Sequence, residues 1–155
     1  MWESLQRYNA LSSEARKLFR RAVVLLPLLM VSLRVRGYGK TQQWLQNILD
    51  RTVIAPMQAA DLVLNLEITC RMVRAAQHYT LVRTSCLEQS LLLWYLLRRQ
   101  GITAALRIGI RKDAEKFEAH AWVEHDGAAL NQVQELHRHY TAFDGEVPKA
   151  PVELP

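Results

Sequence analysis

Cysteine is nearly absent from this chain. Of 155 residues only Cys70 and Cys86 carry a thiol, too few for a disulfide framework. No secretory signal pattern opens the sequence, so the expected compartment is a reducing cytoplasm. A long apolar run is lacking too. The stretch AVVLLPLLMVSL has 12 residues, where a bilayer span needs about 20, and Pro27 interrupts it. It is expected to form a buried helix, and its flanking Arg20, Arg21, Arg34 and Arg36 are compatible with a peripheral membrane contact. The net charge of +5 is spread over many arginines without a basic run. No homeodomain, zinc-finger or aromatic RNA-binding signature accompanies it, so nucleic acid is not an expected partner. There is no cysteine pair and no His-Glu-x-x-His motif. His120 with His125, and His137 with His139, lack a third converging ligand, so neither a metal nor a cofactor is expected.

What is present is globular composition: half the residues are hydrophobic and 23% are charged. The length suits one domain with a real core, and no repeats or low-complexity segments divide it. The first 80 residues read as helical. Ser12 or Ser13 can cap a helix that ends at Gly37. KTQQWLQNILDRT places Trp44, Leu45, Ile48 and Leu49 at helical spacing, and Pro56 is expected to start a further helix containing Cys70 as a small core residue. Another helix follows Cys86 and stops at Gly101. The period then changes. ITAALRIGIRK alternates with Leu106, Ile108 and Ile110 on one face, and Asp126-Gly127 marks a hairpin turn between two short strands. The expected order is a helical part (1–80), a core of helix and antiparallel sheet (81–143) and a tail (144–155). The fold class is α+β.

Cys86 falls in the first turn of its helix, with Thr84 or Ser85 as cap. Unpaired N–H groups and the helix dipole favour a thiolate there, and the same N–H groups suit an oxyanion. A lone cysteine at a helix start is ambiguous without a base. His120 lies 34 residues later in EAHAWVEHDG, where Ala119, Ala121 and Val123 alternate with His120, Trp122 and Glu124. A cysteine at a helix start and a histidine on a strand are the parts of a nucleophile–base pair.

The run SCLEQSLLLWYLLRRQGITAALRIGIRKDAEKFEAHAWVEHDGAALN resembles the core of the lasso-peptide leader peptidases, transglutaminase-like cysteine peptidases that process precursors of threaded bacterial peptides. The likeness is strong over roughly 80–132 and looser in the preceding helices. It implies a transglutaminase/papain-like core with the nucleophile at a helix N-terminus packed on a small antiparallel sheet. It also implies Cys86 as nucleophile and His120 as general base and acid. By resemblance, this is the stand-alone form without a leader-recognition domain. Its implied partners are a leader-bearing precursor, a separate leader-binding protein and a macrolactam synthetase.

The chain departs from the family at one place. The family carries an acid at the end of a segment resembling GRxLND, and here GAALNQ puts Gln132 at that position. Gln132 is the first choice for the third member, and Asn131 the second if the hairpin register shifts by one. Glu124 lies on the face of His120 and is a further candidate, whereas Asp126 suits the hairpin tip. An amide can orient an imidazole but does not supply a full charge. The alternative expectation is a weakened or inactive member serving as a docking or adaptor subunit in peptide maturation.

Overall fold

The computed structural model describes residues 11–54, 58–80, 84–113, 116–131 and 141–142. Gln132, His137, His139, Pro56 and the tail from Asp144 lie outside them. Three helices, α1 (Ser13–Asp50), α2 (Ala59–Tyr79) and α3 (Cys86–Arg99), precede four strands, β1 (Ala105–Asp113), β2 (Lys116–His125), β3 (Ala128–Ala129) and β4 (Thr141–Ala142). The strands form one sheet in the order β3-β2-β1-β4, antiparallel at each pairing. The architecture is α+β, as expected.

Ser12 is the cap of α1, its hydroxyl accepting from the Ala15 N–H at 3.2 Å. Non-helical geometry at Gly37 ends the first arm of this helix, as expected, and a second helical arm follows directly. Gly37 has φ 76° and ψ 173°, a conformation essentially reserved for glycine. Thr41 repairs the break. Its hydroxyl donates to the Gly37 carbonyl at 2.8 Å and accepts from Ser32 at 2.9 Å, joining the two arms. The Trp44–Leu49 helix expected from the sequence is the second arm of α1. The next helix starts at Ala59, with Gln58 as its cap residue.

α3 is the centre of the molecule. Every residue from Ser90 to Leu97 is buried, as befits a helix covered on all sides. α1, α2, β1 and β2 all pack against it. The resulting cluster joins Ala22, Leu26 and Leu45 of α1, Val73 of α2, the α3 leucines and Val123 of β2. The helix ends in a Schellman motif. Gly101 (φ 78°) donates to the Arg98 carbonyl at 3.1 Å, and Ile102 donates to Leu97 at 3.1 Å. The buried Ile102 side chain then carries the chain into β1.

The apolar run of α1 is not wholly buried, contrary to the expectation from its composition. Ala22, Leu26, Leu29 and Met30 face the core, while Val24, Leu28 and Val31 are exposed on the opposite side. α1 packs on α2 and α3 through one face only.

The β1–β2 ladder pairs Leu106 with Val123, Ile108 with Ala121 and Ile110 with Ala119. This places the expected apolar face of β1 opposite the alanine and valine positions of β2. The hairpin turn falls at Asp126 (φ 47°) and Gly127 (φ 78°). Two consecutive positive φ values are those of a type I′ turn, which Asp-Gly favours.

Candidate active site

The start of α3 is built by a capping box. Ser85 is the N-cap; its hydroxyl accepts from the Glu88 N–H at 3.4 Å, and the Glu88 carboxylate accepts from the Ser85 N–H at 2.7 Å. A Ser-x-x-Glu signal of this kind is legible in the sequence, although the cap alone was expected from it. Thr84 does not cap the helix. Its hydroxyl instead accepts from the Gln77 side chain at 3.0 Å, tying the entry of α3 to α2. Cys86 is therefore the first residue of the helix and is partly exposed. The helix itself offers no acceptor for the Cys86 and Leu87 N–H groups, so both point out of its first turn. Cys70 lies within α2, where burial pushes its thiol pKa up, with Arg74 acting weakly in the other direction. Of the two thiols, Cys70 has the core environment and Cys86 the helix start.

His120 stands in the middle of β2, partly exposed, with its ring stacked near Trp122 at 6.4 Å between centroids and 14° between planes. Their shared face, expected from the alternation, is thus present. Burial lowers the His120 pKa from the ordinary 6.5, and nearby Glu118 opposes the shift. The imidazole is accordingly held towards the neutral form that accepts a proton. Its cross-strand partner on β1 is Gly109, which puts no side chain opposite the ring.

A polar clamp joins α3, which begins at Cys86, to β2, which carries His120. The Ser90 hydroxyl donates to the Ala121 carbonyl at 2.9 Å. Asn131 donates to Ser90 Oγ at 2.8 Å, and its side-chain carbonyl accepts from the Val123 N–H at 2.9 Å. Ser90 is one helical turn after Cys86, and Ala121 is the residue after His120. β3 ends at Ala129 and the Leu130 N–H still donates to the Val123 carbonyl at 2.9 Å. The Asn131 and Ser90 side chains then satisfy the Val123 N–H and the Ala121 carbonyl on the same edge. Both ends of the Asn131 amide are used in this way. Sequence reasoning missed Ser90 and missed this role of Asn131, because their partners are 31 and 41 residues distant from Ser90.

Glu124 is also engaged. One carboxylate oxygen accepts from the Trp122 indole at 2.7 Å and the other from Arg107 Nε at 3.0 Å. Glu124 thereby fixes Trp122 and, through ring stacking, the neighbourhood of His120. Asp126 is an exposed hairpin-tip residue, as expected, 3.4 Å from His125 Nε2. Gln132, the first choice for the third member, is outside the described residues. Among the described residues no three His, Cys, Asp or Glu side chains form a metal-binding group.

A thiol at a capped helix start and a neutral-leaning imidazole on the adjoining strand are parts suited to acyl transfer. The family model described as Transglutaminase-like superfamily matches residues 24–143, most of the chain and both parts of the site. No curated protein and no solved structure matches the chain. The chain belongs to the transglutaminase-like superfamily, which includes cysteine peptidases.

Proposed function

We propose that this transglutaminase-like chain is a cytoplasmic cysteine peptidase that removes the leader from a ribosomally made lasso-peptide precursor. The observation that supports the reading is the placement of Cys86 as first residue of a capped helix and of His120 on the strand bonded to that helix through Ser90. The collinear likeness of 80–132 to lasso-peptide leader peptidases supplies the substrate class. A separate leader-binding protein would present the precursor, and a macrolactam synthetase would receive the freed core.

His120 takes the proton of Cys86, and the thiolate attacks the carbonyl at the leader–core junction. The backbone N–H groups at the start of α3 suit the oxyanion that forms. His120 returns its proton to the leaving amine, freeing the core peptide and leaving the leader as a thioester on Cys86. Water, deprotonated by His120, then hydrolyses the thioester and releases the leader. In this mechanism Gln132 orients the imidazole. It supplies a dipole where an aspartate would supply a full charge, so Gln132→Asp should raise the turnover number.

The test is cleavage of a leader-bearing precursor in the presence of its leader-binding protein. The native chain should release free leader and core, and Cys86→Ala should release neither. Equal cleavage by both would remove Cys86 from the mechanism. Absence of cleavage by either would favour a docking subunit, the reading that the glutamine at position 132 supports.

A further inference from the structure

The outward face of α1 plays no part in peptide cleavage, yet it is organised. Val24, Leu28, Val31 and Val35 are 59%, 53%, 60% and 77% exposed, and their spacing of four, three and four residues sets them on one helical stripe. The stripe runs about 16 Å along the axis, opposite the face that buries Ala22, Leu26 and Leu29 in the core.

Cations bound the stripe at both ends. Arg20 and Arg21 are exposed one turn before Val24, and Arg34, Arg36 and Lys40 are exposed at the far end. No Asp or Glu occurs between Glu14 and Asp50. Those two acids have local partners: Glu14 pairs with Lys17 at 2.9 Å and Asp50 accepts from Gln46 at 2.8 Å. The surface therefore asks for a partner that is apolar along a line and anionic at either end of it.

We propose that this arginine-bounded stripe of α1 seats the protein on the surface of an anionic lipid bilayer. A bilayer interface meets both demands, taking aliphatic side chains between its headgroups and holding guanidinium groups against its phosphates. A protein partner fits less well. The stripe is the exposed face of a single helix, and it contains no aromatic or methionine anchor. Four side chains along one helix also fall far short of the roughly 800 Å² per partner of a stable protein interface. Among the described residues no helix is long and apolar enough to cross a membrane, so α1 lies along the surface. The proposal is independent of the peptidase reading.

Co-sedimentation of the full chain with lipid vesicles tests it. The protein should pellet with phosphatidylcholine vesicles containing phosphatidylglycerol, remain in solution with phosphatidylcholine alone, and be released by added salt. Arg20→Gln with Arg21→Gln should weaken partitioning about 25-fold, since each basic residue near the surface contributes about fivefold. Leu28→Ser with Val31→Ser should weaken it by at least about tenfold. All four positions are exposed, so the melting temperatures of both variants should stay close to the native value. Absence of native binding, or undiminished binding of the Leu28/Val31 variant, would overturn the proposal. So would a native dimer that this variant converts to monomer without any vesicle binding, because the stripe would then be a self-association face.

Discussion

At the scale of single residues, the proposed function rests on how two ordinary side chains are surrounded. Burial disfavours the charged form of His120, so its pKa in the folded chain lies below 6.5. Above that pH the imidazole is neutral in both folded and unfolded chains. As pH falls, the unfolded chain takes up the proton more readily, so the contribution of His120 turns against folding on the acid side. The same shift keeps the base form available. The acid limb of the kcat/KM profile should therefore fall below pH 6.5, and a limb at or above that value would contradict the environment assigned to His120. Trp122 takes part in this environment, held by Glu124 and stacked near the imidazole. Burial inside α2 raises the Cys70 thiol pKa, which suits that residue to the core.

At the scale of elements, the site depends on registering α3 against β2. Ser90 sets that register, being fully buried and bonded both to the Ala121 carbonyl and to Asn131. Ser90→Ala leaves the buried Ala121 carbonyl and the half-buried Asn131 amide each short of a partner, a cost of about 1–3 kcal/mol. For a chain of this size the melting temperature should fall by roughly 3–10 °C. Because Ser90 is fully buried, kcat should drop while KM changes little. An unchanged melting temperature and kcat would show that the clamp does not hold the two elements. Much of this level was legible in the sequence. Ser85 and Glu88 announce the start of α3, Gly101 its end, and Asp126-Gly127 the hairpin, because each acts through neighbours in the chain. The clamp was hidden, since nothing local in Ser90 or Asn131 specifies a partner across the fold. Gly37 marked the end of one helical arm and the Trp44–Leu49 spacing the next, but not that the two arms adjoin without a connecting loop. The outward stripe of α1 was hidden for a different reason: an apolar run does not reveal which of its faces a neighbouring element covers.

At the scale of the whole molecule, one hydrophobic cluster takes residues from all three helices and from β2. The helix that begins at Cys86 is its centre, so the helical half and the sheet half share the contacts that hold the candidate site. Far-ultraviolet circular dichroism, dominated by the helices, and near-ultraviolet circular dichroism, which senses packed aromatics such as Trp94 and Trp122, should melt in one coincident transition. Two separated transitions would mean that the halves are stable independently. The same shared core ties the order of the chain to its chemistry, placing Cys86 at the end of the central helix and His120 on the strand against it.

The most direct measurement is the intact mass of the protein, acid-quenched during turnover of a leader-bearing precursor with its leader-binding protein. A thioester intermediate predicts a species heavier than the native chain by the mass of the leader less one water, with the added mass mapping to Cys86 and absent from Cys86→Ala. Continued release of free leader by Cys86→Ala at the native rate, with no adduct on the native chain, would contradict the account.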